Sequence, residues 1–301
     1  MNANSPFLAN LDLSAGKAFN VSNNEDDTTG DNINLKGSNG SVSLPGHKIT
    51  FNKNAGISID NTSTLNLIDG TFQTTGTGVI TNPGALEKTA GTNPFVTDLA
   101  IVNSGLFQLQ SGLLQINGKE PTKNSSFNQS GGTCDLWAAT TLSAKQGFYM
   151  NGGVLQTESS NALGHTSSIN DGDILLEGGV IKLNVNNVDG TNVGVLSSNK
   201  ALTIQGNAEY QAKIDSTNNT ADRLSIAGNV TIGGNAKLTA LSVNLINGKV
   251  KRNNTWDIIS SAGTITGDFA TKNLAFNDGS GDSYTGALNG TKTKYQLTSP
   301  P

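Results

Sequence analysis

The side chains best suited to catalysis are sparse in this sequence and form no obvious constellation. Only two histidines occur, His47 and His165, and they are far apart along the chain. The segment "DGSGDSYTG" (278–286) shares letters with serine-protease nucleophile segments, but it lies near the C-terminus and no suitable His–Asp context precedes it. We therefore predict turn positions for both histidines and a polar turn between Phe276 and Tyr284.

Carboxylates are the second source of chemistry, since glycoside hydrolases use paired Asp or Glu side chains. Asp171 and Asp173 form a close pair in "NDGDI", but we expect them to lie at a corner of the fold. Asp135 and Lys182 occupy polar positions of predicted strands, isolated from other charges at equivalent positions. We predict no catalytic site, and a polysaccharide-acting enzyme stays open as the alternative.

Few residues of the sequence could support metal binding or thiol chemistry. The acidic segment "NNEDDTTGDN" offers Asp26, Asp27 and Asp31 to calcium, but the calcium-binding nonapeptide repeat is absent. The single cysteine, Cys134, occupies an inward strand slot beside Leu136, so we predict a small core residue. The sequence therefore predicts neither a metal site nor a cofactor.

The composition argues against several classes of protein. Hydrophobic residues make up 35% of the 301 residues and aromatic residues only 5%, which is low for a globular α/β enzyme. The net charge is −4 and the two arginines, Arg223 and Arg252, stand among scattered lysines, so we expect no nucleic-acid partner. No apolar run is long enough to predict a membrane span, and we see no signal peptide at the N-terminus.

Short strands that follow a glycine recur along the chain. Six segments share one pattern: "DGTFQT" from Asp69, "SGLFQL" from Ser104, "SGLLQI" from Ser111, "GGTCDL" from Gly131, "GGVLQT" from Gly152 and "GGVIKL" from Gly178. In each segment two inward slots flank one polar slot, which is held in turn by Gln73, Gln108, Gln115, Asp135, Gln156 and Lys182. This period of two places alternate side chains on opposite faces of a strand.

The spacing of the strands predicts a solenoid. Apolar i, i+2 pairs such as Val42/Leu44 and Ile49/Phe51 recur every seven or eight residues. The Gly, Asn, Ser, Asp and Thr residues between the pairs are poor in helix interiors, which argues against a coiled coil. Three sides of this length make a coil of about 22 residues, as in an all-β, right-handed parallel β-helix. A β-sandwich of hairpins is the alternative, but it would space its strands about 8 to 12 residues apart.

Three regions are predicted along the chain. They are an N-terminal cap or edge segment (1–40), β-helix coils (41–195), and C-terminal coils with a capping segment (196–301). Two longer loops are expected within the coils, near 81–97 and 118–126, where proline and polar residues interrupt the spacing. The single tryptophans, Trp137 and Trp256, are predicted to serve packing or capping, because a sugar-binding platform would need several aromatic rings on one face.

Two stretches resemble a known family. The segment "GGVLQTESSNALGHTSSINDGDILLEGGVIKLN" (152–184) resembles the passenger-associated repeat of bacterial autotransporters, a Gly-Gly strand, a loop ending in Asn-Ala-Leu-Gly and a second Gly-containing strand. The matching residues are Gly152, Gly153, Leu155, Asn161, Ala162, Leu163, Gly164, Gly178 and Gly179. Farther on, Ile265, Thr266, Gly267 and Phe269 in "WDIISSAGTITGDFA" are similar to an "ITG-F" turn near the C-terminal end of such passengers. The resemblance implies a passenger-type fold and surface display, and no particular activity.

The sequence as a whole predicts a non-catalytic β-helical stalk or adhesin-like passenger segment, displayed outside the cell or on a bacterial cell surface. Cell-surface glycans or proteins, or further copies of the chain, are the expected partners. Two alternatives stay open. One is a β-helical polysaccharide lyase or glycoside hydrolase, which should show three or more outward carboxylates clustered on one sheet. The other is a self-assembling coat or filament subunit, which uncapped coil ends would permit.

Overall fold

The structure, a computed structural model, describes residues 11–13, 19–22, 27–29, 33–35, 39–52, 54–91, 93–158, 166–185 and 193–301. These residues form strands, turns and irregular connections, with no helix among them. In the same ranges no helix is long and apolar enough to cross a membrane. The chain divides into two compact units, the first of residues 1–136 and 140–149, the second of residues 137–139 and 150–301.

The strands up to Met150 are short, apart from two long ones. Their bounds are β1 Leu11–Leu13, β2 Phe19–Ser22, β3 Asp27–Thr29, β4 Ile33–Leu35, β5 Asn39–Phe51, β6 Ile57–Ile59, β7 Thr64–Thr74, β8 Val79–Asn82, β9 Ala85–Lys88, β10 Phe95–Thr97, β11 Ala100–Asn103, β12 Leu106–Leu109, β13 Leu113–Ile116, β14 Phe127–Gln129, β15 Thr133–Trp137, β16 Thr141–Ala144 and β17 Phe148–Met150.

The strands after Met150 include several of seven residues. Their bounds are β18 Val154–Glu158, β19 Thr166–Asn170, β20 Ile174–Leu176, β21 Val180–Lys182, β22 Val195–Ser198, β23 Leu202–Ile204, β24 Glu209–Asp215, β25 Thr220–Ala221, β26 Arg223–Ile226, β27 Val230–Ile232, β28 Lys237–Val243, β29 Thr255–Ser261, β30 Ile265–Gly267, β31 Thr271–Asn273, β32 Thr285–Leu288 and β33 Lys294–Thr298.

Parallel pairing arranges the strands of the first unit on three faces. The first face holds β1, β4, β6, β8, β11 and β14 in successive contact. The second holds β2, the N-terminal halves of β5 and β7, and then β9, β12 and β15. The third holds β3, the C-terminal halves of β5 and β7, and then β10, β13 and β16. The chain visits each face once per coil, which is the arrangement of a parallel β-helix.

The second unit is built in the same way. Its first face holds β20, β23, β27 and β30. The second holds β18, β21, β24, β28 and β31, and the third holds β19, β22, β26 and β29. All of these pairs are parallel, so the predicted all-β, parallel β-helical fold is confirmed.

Coil length differs between the units. In the first unit Ile57 pairs with Ile80 and Ile80 pairs with Ile101, 23 and 21 residues later, close to the predicted repeat of about 22. In the second unit residues on neighbouring coils are further apart, as in the hydrogen bond between Glu177 and Gln205, which are 28 residues apart. The longer coils follow from seven-residue strands such as β24 and β28 and from the connections between them.

The core consists of columns of inward-facing side chains. Each coil contributes one residue to each column. The predicted inward residues Phe107, Leu109, Leu114, Ile116, Cys134, Leu136, Leu155 and Ile181 are all buried, which confirms the inward assignment of those strands. Rings stack within the first unit: Phe51 contacts Phe72 and Phe72 contacts Phe95 edge to face, with centroids 5.4 and 4.9 Å apart. Burial of these columns is the main source of stability, since apolar burial contributes about 25 cal/mol per Å².

The glycine pairs occupy tightly stacked corners, as the repeat predicts. A Cβ atom added to Gly178 would lie 2.3 Å from the carbonyl oxygen of Asn151 on the preceding coil. No side chain fits at that distance, because real Cβ contacts are essentially never shorter than 3.0 Å. The glycine therefore lets one coil settle on the next where the chain turns into β21.

The structure differs from the sequence prediction at residues 81–97. This segment was expected to be a loop, but it contains β9 and β10. The strand β9 was hidden because its second inward slot holds Lys88, which is 0% exposed and aligned with Leu109 on the next coil. The Lys88 ammonium donates to the carbonyl oxygens of Ile68, Ala90 and Gly91 at 2.5, 3.1 and 3.2 Å. Burial lowers the pKa of Lys88, and the charge of Asp69 partly offsets this effect.

A buried amide ladder occupies the end of the first face. Asn82, Asn103 and Gln129 are fully buried and stand on successive coils. Asn82 donates to the side chain of Asn103 at 2.6 Å, and Asn103 donates to Gln129 at 2.8 Å. Each amide also donates to a backbone carbonyl of the following corner, so the ladder supplies partners where the strand ends.

Antiparallel pairing occurs in the second unit, at the hairpin of β24 and β25 and again near the C-terminal end. There β33 pairs antiparallel with β29, and β32 pairs antiparallel with β33. Trp256 on β29 is buried and its ring meets that of Tyr284 edge to face at 5.8 Å, in agreement with a packing role. Phe269, from the "ITG-F" turn, packs edge to face on Tyr295 of β33 at 5.2 Å.

Candidate functional site

The acidic pair Asp171 and Asp173 lies at a corner, as predicted. The Asp171 backbone has a φ of 74°, and its N–H donates to the side chain of Asn199 at 2.8 Å. Asp173 accepts a hydrogen bond from the backbone N–H of Ala201 at 3.2 Å. The Asp171 carboxylate also accepts a hydrogen bond from the Asn199 amide at 3.4 Å, so both carboxylates contact the corner of the following coil and help to hold the turn.

The carboxylates of Glu87 and Asp135 share one column of polar positions in the first unit. The sequence analysis predicted that Asp135 would be isolated from other charges. Successive pairing aligns Asn66 with Glu87, Glu87 with Gln108, and Gln108 with Asp135. Gln108 donates to the Asp135 carboxylate at 3.3 Å. Burial raises the pKa of Glu87 above its ordinary value. Asp135 was predicted to face outward, but it is only 1% exposed, so a large substrate could not reach it in this conformation.

The remaining predicted candidates are placed apart from one another. His47 is half-buried in the middle of β5, between two blocks of strand pairing, so the turn predicted at this position is wrong, while His165 lies outside the described residues. Cys134 is fully buried, and burial together with the Asp135 charge raises the pKa of its thiol well above the ordinary value. Lys182 is half-buried on β21, opposite Gln156.

The segment "DGSGDSYTG" forms a polar turn between Phe276 and Tyr284, as predicted. The Phe276 N–H donates to the Asp282 carbonyl oxygen at 2.8 Å and closes the turn. Hydrogen bonds from Ser280 and from the Val250 N–H lower the pKa of Asp278 to about 2. Both aspartates therefore hold loops together, since Asp282 also pairs with Arg252 at 2.6 Å.

A protein metal site needs several ligating side chains close together. Among the described residues no group of three or more His, Cys, Asp or Glu side chains could hold a metal ion. Asp26 and Asp31, two of the three candidate calcium ligands, lie outside those residues, and only the backbone of Asp27 is described. The prediction that this acidic segment holds no metal therefore falls largely on residues outside the described ranges.

A buried aspartate in the second unit was missed by the sequence prediction. Asp222 is 0% exposed, and its carboxylate accepts the backbone N–H groups of Gly194 and Lys213 at 2.8 and 2.9 Å. Burial raises its pKa to about 7, although the Lys213 ammonium and the two N–H groups act in the opposite direction. No sequence pattern marks this residue, because its burial depends on Gly194 of the preceding coil and on the β24–β25 hairpin, which brings Lys213 beside it.

A shallow, open groove lies on the third face of the second unit. Its volume is about 580 Å³, within the usual range for ligand sites. The walls come from the ends of β19, β22, β26 and β29, and the lining consists of Asn, Ser, Ile and Ala side chains. The segments that line it include 197–199, 225–227 and 260–262. We call this surface the serine groove.

A ladder of serine hydroxyls follows the serine groove. Strand pairing aligns Ser168, Ser197, Ser225 and Ser260 on successive coils. The hydroxyls of Ser168 and Ser197 are 2.8 Å apart and share a hydrogen bond. The sequence contained a weak signal for this ladder, since a serine follows an inward aliphatic residue in "VLSS", "RLSI" and "IISS".

The chain matches no protein-family model and no curated protein. The resemblance to autotransporter passengers therefore rests on the residues quoted from the sequence, and the structure adds the fold and the surfaces described above.

Proposed function

We propose that this chain is a non-catalytic, surface-displayed β-helical segment that mediates attachment through its outer columns. Display outside the cell follows from the resemblance to autotransporter passengers, together with the predominance of Asn, Ser, Thr and Gly. The observation that carries the attachment role is the serine groove. It is a concave surface on the side of the β-helix, and its lining has no ionisable side chain.

The outward strand positions support the same proposal. Gln73, Gln108, Gln115 and Gln156 are half-buried at polar slots, and the last three lie between two buried neighbours. Amide groups both donate and accept hydrogen bonds, but they cannot take a proton at neutral pH. Surfaces of this kind suit weak contacts repeated along a polymer, and they lack the positioned base that polysaccharide cleavage requires.

One observation favours the enzyme alternative. Glu87 and Asp135 lie two strands apart in one outer column, which corresponds to roughly 9.6 Å at the usual strand spacing. Inverting glycosidases hold their two carboxyl groups about 6.5 to 9.5 Å apart. The burial of Asp135 weighs against this alternative, and the expected cluster of three outward carboxylates is not met in this column, where Asn66 and Gln108 hold the other positions.

The decisive experiment is an incubation of purified protein with acidic and neutral polysaccharides, with and without calcium. Reducing-end and unsaturated-uronate assays measure turnover, and co-sedimentation with insoluble polysaccharides or with cells measures attachment. We expect attachment without turnover. Glu87→Gln, Asp135→Ala, Asp171→Ala and Asp173→Ala serve as matched variants for any activity that is found.

Turnover that disappears in one of these variants would overturn the attachment proposal in favour of the enzyme. Failure to associate with any polysaccharide or cell surface would also count against attachment. Turnover that survives in all four variants would indicate a contaminating enzyme, which a second purification route would remove.

A further inference from the structure

The serine groove contains hydrogen-bonding capacity that the protein itself does not use. Ser225 and Ser260 are half-buried, and their hydroxyls form no hydrogen bond within the described part of the chain. Ser198, in the groove wall, is 4% exposed. Its oxygen accepts the Lys200 N–H at 3.2 Å, while its own proton finds no acceptor among the described residues. A buried donor without an acceptor costs free energy, so a ligand acceptor in the groove would be favoured.

The lining of the groove is electrically neutral. It contains two asparagines, Asn170 and Asn199, and otherwise Ser, Ala and Ile side chains. Charged side chains stand beside the lining: the Asp171 carboxylate accepts a hydrogen bond from the Asn199 amide at 3.4 Å, Lys200 and Arg223 are exposed, and Asp257 pairs with Lys294 at 2.5 Å. A carboxylate or phosphate ligand would find no charged partner on these walls. An uncharged polar ligand would lose little hydration free energy on entering the groove.

The groove runs across coils and not along a strand. Its walls come from four successive strands of one face, about 4.8 Å apart, so matching groups repeat at that interval over roughly 14 Å. Backbone N–H and C=O groups of these strands already pair with neighbouring coils, which excludes the addition of a peptide strand in the groove. A linear polymer with regularly repeated hydroxyl groups fits such a surface, since hydroxyls can pair as both donors and acceptors.

We propose that the serine groove binds a linear, uncharged glycan that lies across successive coils, and that it binds the glycan without cleaving it. This inference rests on the proposed attachment function and specifies its ligand class. The lining itself contains no Asp or Glu side chain that could act as acid or base, which argues against hydrolysis in the groove. Binding through hydroxyls and amides without an aromatic platform is weak for each sugar, so contacts on several coils are needed together.

The test uses the full chain and three probes, cellohexaose, xylohexaose and mannohexaose, with hexagalacturonate as the anionic comparison. Titration followed by NMR or calorimetry measures the affinity. We expect at least one neutral hexasaccharide to bind and hexagalacturonate to bind more weakly. Ser225→Ala and Ser260→Ala should each weaken binding by about fivefold, the loss expected for one hydrogen bond.

Controls separate a groove effect from a loss of folding. Thr203→Ala removes a half-buried outward hydroxyl from β23 on another face and should leave affinity unchanged. Ser225→Tyr fills the groove and should abolish binding, and thermal melting should show that each variant still folds. Binding that is the same in Ser225→Ala, Ser260→Ala and Ser225→Tyr would overturn the groove assignment and leave the attachment function in place.

The absence of binding by all three neutral hexasaccharides at millimolar concentrations would also overturn the glycan assignment. Attachment to cells in the same preparation would then show that the proposed function holds through another ligand or surface. Tighter binding of hexagalacturonate than of the neutral probes would contradict the argument from the neutral lining.

Discussion

Leu155 and Gln156 are neighbours in β18, but their side chains lie on opposite sides of the strand. Leu155 is 0% exposed and aligned with Ile181, whereas Gln156 is half-buried opposite Lys182. We expect Leu155→Asp to lower the free energy of unfolding by more than about 3 kcal/mol, because it places an unpaired charge in the core. Gln156→Asp should change it by less than about 1 kcal/mol.

Thermal or denaturant unfolding of the two variants measures the difference. Equal destabilisation by both substitutions would contradict the inward and outward assignment of β18. The comparison is sharp because the two positions are adjacent and receive the same side chain.

Asp222 makes the stability of the second unit depend on pH. Its pKa in the folded protein is about 7, above the value of about 3.9 for an exposed Asp in the unfolded chain. The folded state therefore binds more protons between these two values, and the free energy of unfolding falls as pH rises through this window. The stabilisation by the bound proton is fully present below about pH 4 and is lost as pH rises through about 7.

Asp222→Asn removes this titration. Between about pH 5 and about pH 8 the original protein should lose at least about 1 kcal/mol more of its unfolding free energy than the variant. Denaturant unfolding at several pH values measures both curves. The quantity to compare is the slope of the unfolding free energy against pH. The absolute free energies also differ, because the asparagine alters one of the hydrogen bonds from Gly194 and Lys213. Parallel curves would contradict a raised pKa for Asp222.

At the scale of an element, the corners decide whether coils can stack. Gly132 has a φ of 60°, and a Cβ added there would lie 2.0 Å from the carbonyl oxygen of Gly105 on the preceding coil. Gly281 has a φ of 79° but nothing within 4 Å of an added Cβ. The two glycines thus share a left-handed backbone conformation and differ in the stacking contact.

Gly281→Ala should cost about 1 kcal/mol, which is the backbone strain alone. Gly132→Ala should cost at least about 2 kcal/mol more, because the corner must open to admit the methyl group. Thermal melts of both variants measure the difference. Similar costs for the two substitutions would mean that the corner of the first unit is not held by close stacking.

The antiparallel strands near the C-terminal end of the second unit bear on self-assembly. A coil end with unpaired strand edges can pair with another copy. Here β33 pairs along β29, so the outward edge of that strand is already used within the chain. The pairing of β33 therefore weighs against stacking of a second copy on this strand.

At the scale of the whole molecule, the circular dichroism spectrum should be that of a β-rich protein. Far-UV circular dichroism is expected to show the single minimum of a β-rich protein, because the described residues form only strands, turns and irregular segments. A helical fraction near about one third, which is ordinary for mixed globular domains, would contradict the β-helical fold.

Much of this fold could be predicted from local sequence patterns. Alternation of apolar and polar residues identified strands such as β12, β13 and β18, since a strand turns each successive side chain to the opposite face. The prediction failed at β9, where Lys88 occupies an inward slot, and at Asp135, which is buried at an outward slot. In both cases the side chain departs from the pattern because of partners or neighbours that the local sequence does not reveal.

The candidate site was less predictable than the fold. The polar slots and the corner carboxylates were visible, but the serine groove was not, because its aligned serines, such as Ser197 and Ser225 or Ser225 and Ser260, are 28 and 35 residues apart in sequence. A single serine in a strand carries no information about what stands beside it on the next coil. Asp222 was missed for a related reason, since its partner Gly194 lies on the preceding coil and Lys213 reaches it only through the β24–β25 hairpin.

The sequence by itself therefore determined the strand period, the glycine corners and the β-helical fold class, because these depend on backbone geometry repeated at short range. Only the tertiary structure decided how long each coil is and which side chains stack on one another, and hence where a groove and buried charges arise. These features depend on the alignment of coils, which is set by the packing of all inward columns at once and not by any one segment.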